Sequence, residues 1–167
     1  CAIIGVEGFE IGDTICTPGH KFQFEGIPTF APEHFARVRQ LDTLKRKQFV
    51  KGTQQIAQEG AIQIFHEPYS GMEEVIVGVV GTLQFDVLQY RLKNEYNVEI
   101  ALESLPFQYI RWIENKELDV KTLNLSSGTK VVQDFKGNQL LLFVDRWNID
   151  WAVERNKDLV LAEFSRN

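Results

Sequence analysis

The chain opens its clearest pattern at residues 34–39, where apolar and polar positions alternate. Phe35, Arg37 and Arg39 share one side, and Ala36 and Val38 share the other. That is the signature of a strand with one polar face. Asp42 or Thr43 then stands where an N-cap is needed for a helix running to about Gln58. On a helical wheel Phe49, Gly52, Thr53 and Ile56 form the buried stripe, flanked by Val50 and Ala57, and Gly60 supplies a left-handed stop. The β-branched runs 61–65 and 74–80, separated by Pro68, Ser70 and Gly71, predict two antiparallel strands. Gly81 and Thr82 open a second helix, with Thr82 as cap and Phe85, Leu88, Leu92 and Tyr96 as its apolar stripe. Val98, Ile100 and Leu102 alternate with Glu99, Ala101 and Glu103, which predicts a half-buried strand. The order strand, helix, strand, strand, helix, strand is that of a ferredoxin-like split βαβ module in an α+β protein.

The remaining pattern predicts a second, rougher α/β half. A strand is expected over 109–114, and Asn115 could cap a weak helix carrying Leu118 and Leu125, unless Ser126, Ser127 and Gly128 mark a longer loop. Strands over 130–135 and 139–145 flank Lys136, Gly137 and Asn138, a hairpin signal. A short helix over 147–156 would turn Ile149, Ala152 and Val153 inward, with Trp147 and Trp151 also expected in the core, before a last strand over 159–164. At the other end, the Gly-punctuated strand pattern of 1–18 predicts the last strands of a small β-barrel, followed by a junction rich in Pro and Gly. The expected division is therefore 1–26 for barrel end and junction, 27–105 for the ferredoxin-like half, and 106–167 for the second half.

Composition narrows the class. Of 167 residues 44% are hydrophobic and 25% charged, and 12 Phe, 3 Trp and 4 Tyr exclude a disordered chain. No stretch reaches the ~18 apolar residues of a membrane-spanning helix. Cys1 and Cys16 are too few for a disulfide framework and no secretory leader is recognisable, so a cytoplasmic setting is expected. The chain begins at Cys1 and its only Met is Met72, which suggests a piece of a larger protein; a lipoprotein modified at Cys1 is the rival expectation. A monomer is expected, with an unpaired barrel edge near Ile3 and Ile4 able to pair copies in a crystal.

No enzyme chemistry is legible. His20, His34 and His66 lack zinc-type spacing, and neither phosphate-binding glycine motif occurs. Asn115, Lys116 and Glu117 faintly resemble a guanine-reading motif, but Leu118 stands at its fourth position. Hence no catalytic, cofactor or metal residue is assigned. The local anomaly is charge. Although the net charge is −5, residues 37–51 hold six basic side chains (Arg37, Arg39, Lys45, Arg46, Lys47 and Lys51) against one acid, Asp42. This window is +5 and leaves −10 on the rest. Lys47 and Lys51 lie one helical turn apart, opposite the buried stripe. The cluster is either a solvated helix face or a surface for nucleic-acid phosphates.

Longer runs then carry a resemblance. The stretch Phe24-Glu25-Gly26-Ile27-Pro28-Thr29-Phe30-Ala31-Pro32-Glu33, the run Leu44-Lys45-Arg46-Lys47-Gln48, and Glu59-Gly60-Ala61-Ile62-Gln63-Ile64-Phe65 are similar to the C-terminal part of the bacterial peptide chain release factor 3 family. So are the segments 77–87 and 91–99, while Arg111-Trp112 is a fainter echo and Gly12-Asp13-Thr14-Ile15 resembles the end of a translational GTPase barrel. The resemblance implies a parent GTPase related to elongation factor G that frees class-I release factors from the ribosome. It places GTP and magnesium in an upstream domain, with no catalytic residue carried onto this chain. The chain would contact small-subunit ribosomal RNA and protein and pass on domain reorientation. The resemblance raises Arg37, Arg39, Lys45, Arg46, Lys47 and Lys51 to candidate ribosomal-RNA contacts, with Lys47 and Lys51 foremost. The alternative it leaves is another elongation-factor-like or ribosome-protection GTPase.

Overall fold

The structure, a computed structural model, describes residues 14–20, 22, 31–68, 74–115 and 117–163. The expected barrel strands near Ile3 and Ile4 lie outside these residues. In chain order the elements are β1 (His34–Gln40), α1 (Arg46–Gln58), β2 (Gln63–His66), β3 (Glu74–Val79), α2 (Leu83–Tyr96) and β4 (Ile100–Leu105). There follow β5 (Tyr109–Ile113), β6 (Thr129–Asp134), β7 (Gln139–Phe143), α3 (Arg146–Arg155) and β8 (Leu161–Ala162). All eight strands among the described residues join one antiparallel sheet in the order β4-β1-β3-β2-β6-β7-β5-β8. The two halves of the chain thus share a sheet, joined where Phe65 pairs with Asp134 and His66 with Gln133.

Strand alternation sorts the core into layers. Val38, Val75, Val77, Val79 and Ile100 point to one face and pack with Phe49 and Ile56 of α1 and Leu88 and Leu92 of α2. The opposite face carries Phe35, Phe65 and Ile76, packed with Ile110, Trp112, Val132, Leu140 and Leu142 from the second half. Residues paired across β2 and β6 share a face, so this second cluster lies on one continuous side, here called the inner face. Leu141, Phe143 and Ala152 form a third cluster beneath α3 on the outer face. All three α-helices among the described residues therefore lie on the outer side of the sheet.

Helices α1 and α2 bury the stripes that their periodicity predicts. Phe49, Gly52, Thr53 and Ile56 are buried in α1, and Leu88 and Leu92 in α2 with Phe85 and Tyr96 half-buried. Asp42 does cap, but it caps a 3-10 turn (Thr43–Lys45) that leads into α1, by accepting from the Leu44 amide at 3.0 Å. Gly60 takes φ +78°, and the hairpin glycine Gly137 takes φ +85°. Thr82 sits at the start of α2 without capping it. Gln84 serves instead, its Oε1 accepting from the backbone amides of Val80 and Gly81 at 2.9 and 3.2 Å.

The second half corrects several expectations. Among the described residues between Asn115 and β6 there is no α-helix: a 3-10 turn (Val120–Thr122), capped by Asp119, stands there. Leu118, Val120, Leu123 and Leu125 pack on the third cluster at spacings of two, three and two, which suit an irregular crossing segment better than a 3.6-residue period. Helix α3 starts at Arg146, capped by Asp145, and buries Asn148 and Ala152, whereas Val153 is exposed. Asn148 can be buried because its amide is satisfied, donating to Asp145 Oδ1 at 2.8 Å and accepting from Ser126 Oγ. Trp147 is not core; it is 63% exposed, and Trp151 is half-buried. The last strand is only Leu161–Ala162.

Candidate functional site

The structure divides the six basic residues. Lys45, Arg46, Lys47 and Lys51 gather on α1 and the turn before it, on the outer side. Arg37 and Arg39 stand on the inner side of β1, because they alternate with Val38, which faces the helices.

On the outer side, the sequence of α1, RKQFVKGTQQIAQ, contains no acid. Lys47 and Lys51 are exposed and form no ion pair among the described residues. Arg46 is exposed beside them at the first helical position. Lys45 is half-buried and differently used: its Nζ donates to the Asn97 carbonyl at 2.7 Å. Asn97 ends α2 in the left-handed region at φ 54°, so Lys45 ties the start of α1 to the end of α2 and meets the negative end of the α2 dipole. Basic side chains in the first turn of α1 run against the preference of a helix N-terminus for negative charge, a mismatch of ~0.3–1 kcal/mol per residue at low salt. At Lys47 an outside anion would relieve that mismatch.

On the inner side, Arg37 is held by three carboxylates. Nη1 lies 3.3 Å from Glu103, Nη2 lies 3.6 Å from Glu67, and Nε lies 3.8 Å from Glu74. Lys130 from β6 joins by pairing with Glu67. Two cations then face three carboxylates, a setting that repels phosphate. Arg39, two residues on, is exposed and lies opposite Glu74 in the β1–β3 register. Sequence reasoning missed this network, since Glu67, Glu74, Glu103 and Lys130 reach Arg37 from separate places along the chain.

A second ion cluster clamps the two helices. Arg91 of α2 donates through Nη1 to Glu59 at the end of α1, and through Nε and Nη2 to Glu95 at 2.9 Å each. These bonds hold the Arg91 guanidinium protonated well above its ordinary range, the bonds to Glu95 first and to Glu59 second. The same bonding keeps the Glu95 carboxyl below its ordinary 4.5.

An open groove of about 840 Å³ lies where β1 begins and β4 ends, lined by Phe85, Leu102, Leu105 and Phe107 with His34 and Ser104. No hydrogen bond among the described residues joins His34 to Ser104. Among the described residues no group of three His, Cys, Asp or Glu side chains could hold a metal ion, and no helix is long and apolar enough to cross a membrane. What the surface offers chemically is an exposed cationic helix face on one side of the sheet.

Comparison with known proteins covers most of the runs quoted above. Residues 24–153 match the family described as class II release factor RF3, C-terminal domain. The chain is 43% identical over 152 residues to the peptide chain release factor 3 of Symbiobacterium thermophilum, covering 91% of this chain and 28% of that protein. It is 41% identical over 164 residues to that of Gloeobacter violaceus, covering 98% of this chain and 31% of that protein. Against that of Nostoc punctiforme it is 40% identical over 154 residues, with coverage of 92% and 28%. The chain spans about three tenths of the length of these curated relatives.

Proposed function

This chain belongs to the class II release factor RF3 C-terminal domain family, and from that premise we propose that it is the ribosome-engaging part of a translation termination factor, without chemistry of its own. The parent, in this reading, is a GTP-dependent cytoplasmic factor that promotes dissociation of class-I release factors from the ribosome. GTP and magnesium are handled by parts of the parent other than these residues. The strand order β4-β1-β3-β2, with both crossing helices on one side, supports reading 27–105 as the ferredoxin-like half and 106–167 as a second half, with 1–26 as barrel end and junction. One continuous sheet beneath three helices suits a monomeric lever that moves as a unit when its neighbours reorient.

The observation that carries the reading is the pair Lys47 and Lys51, exposed on an acid-free helix whose N-terminus already carries Arg46. Each would meet a phosphate of small-subunit ribosomal RNA, displacing counterions. Lys45 serves this surface by fixing α1 against α2. Arg37 is assigned to the inner network and not to RNA, and Arg39 lies on that side too.

The test is co-sedimentation of the chain with purified small ribosomal subunits across a salt series. Charge reversal at Lys47→Glu and Lys51→Glu weakens binding and lowers the slope of log K against log salt by about two, one for each phosphate no longer neutralised. Equal binding and equal slope in the parent and the double variant would return both lysines to an ordinary solvated face.

A further inference from the structure

Charge on this chain is uneven along the sequence: the window 37–51 is +5 and the remainder −10. On the second half of the sheet, α3 turns a different chemistry outward. Its inward side is Asn148, Ala152 and Ile149, so the opposite side is Trp147, Asp150 and Glu154, edged by Arg146 on one flank and by Trp151 with Arg155 on the other. The Trp147 ring is 63% exposed. Asp150 and Glu154, three and seven residues further on, lie on the same side of the helix as that ring. Both are exposed, and neither forms an ion pair among the described residues.

The chain itself displays how such a surface is used. The Arg155 guanidinium lies 5.6 Å from the centroid of the Trp151 ring, a cation on an indole face. Trp147 offers the same ring without a cation of the described residues over it, and with two carboxylates beside it to complete the pairing. We propose that the Trp147, Asp150 and Glu154 ridge of α3 is a docking site for an arginine- or lysine-rich segment of a partner protein. One cationic side chain of the partner lies on the Trp147 indole, and its neighbours pair with Asp150 and Glu154. Nucleic acid is the wrong occupant. Stacking platforms for bases work beside cationic grooves, whereas phosphates here would meet two carboxylates. The complementary charge belongs to a basic polypeptide. The inference is independent of the role assigned to Lys47 and Lys51, which lie on a different helix, and it stands if those lysines prove to be solvated.

Tryptophan emission of the chain, titrated with deca-arginine and separately with decauridylate, tests it. Deca-arginine perturbs the emission and decauridylate does not. Trp147→Ala weakens the peptide by about fivefold, and Trp147→Phe recovers part of the loss. Asp150→Asn with Glu154→Gln weakens it at least threefold, while the same charge change elsewhere, Asp86→Asn with Glu117→Gln, stays within about twofold. Equal weakening by the two carboxylate pairs would reduce the effect to bulk charge and overturn the site. A chain that binds decauridylate through Trp147, or does not respond to the peptide at all, would overturn it as well.

Discussion

Gly52 fixes how closely α1 approaches α2, and its replacement by alanine sets two effects against each other. In an isolated helix Gly→Ala stabilises by about 1 kcal/mol. Here an added Cβ would sit 2.7 Å from Leu92 Cδ2 and 2.9 Å from Tyr96 Cδ2 and Cγ. Carbon atoms at ease are ~3.5–4.0 Å apart, so each separation must open by about 1 Å. Neither neighbour yields easily. Leu92 is fully buried, and the Tyr96 hydroxyl donates to Gln55 Oε1 at 2.6 Å. Overpacking of this kind costs about 1–3 kcal/mol, and two trapped neighbours favour the upper part of that range. The net expectation is a loss of about 1–2 kcal/mol, or roughly 2–8 °C in Tm for a domain of this size. Urea unfolding followed by circular dichroism measures it, with Gln48→Ala on the exposed side of α1 as the propensity-only control. A Gly52→Ala chain as stable as the parent, or more so, would show that the two helices do not meet through this position.

Two further stability predictions concern polar networks. Gly128→Ala drives a Cβ to 2.7 Å from Asn148 Nδ2, and Asn148→Ala removes the same amide that links Asp145 to Ser126. Each lowers stability by about 1–3 kcal/mol in denaturant titrations, and the double variant loses less than the sum because both break one network. Arg91→Gln releases the clamp between α1 and α2, with a loss that depends on pH. Because the Arg91 bonds hold the folded Glu95 carboxyl below 4.5, the clamp stabilises fully above that value and fades as pH falls through the lower, folded one. Thermal unfolding of parent and variant should differ at neutral pH and converge in acid; a difference that widens in acid would contradict this.

How much of this was legible in the sequence depends on the range of the forces involved. The stripes of α1 and α2 and the hairpin at Gly137 are local patterns, and all three stand where periodicity and turn chemistry put them. The helix expected after Asn115 does not form because its leucines are placed by tertiary packing on the sheet, which outweighs a weak helical signal. Trp147 and Val153 turn outward for a related reason. Apolar residues on a short helix can face either way, and the buried position went to Asn148, whose partners Asp145 and Ser126 the sequence does not pair in advance. At the candidate site, the exposure of Lys47 and Lys51 followed from the helical wheel. The capture of Arg37 did not, because alternation shows which face it takes but not that Glu67, Glu74 and Glu103 wait there.

Whether this chain meets ribosomal RNA through α1 is decided by lysine reactivity. The chain, free and bound to small ribosomal subunits, is acetylated briefly and each lysine is quantified by mass spectrometry. Lys47 and Lys51 should lose reactivity on binding. Lys45, already bonded to the Asn97 carbonyl, should be slow in both states, and Lys93 and Lys157 should be unchanged. Protection of Lys93 or Lys157 with Lys47 and Lys51 still fully reactive would contradict an RNA-facing α1.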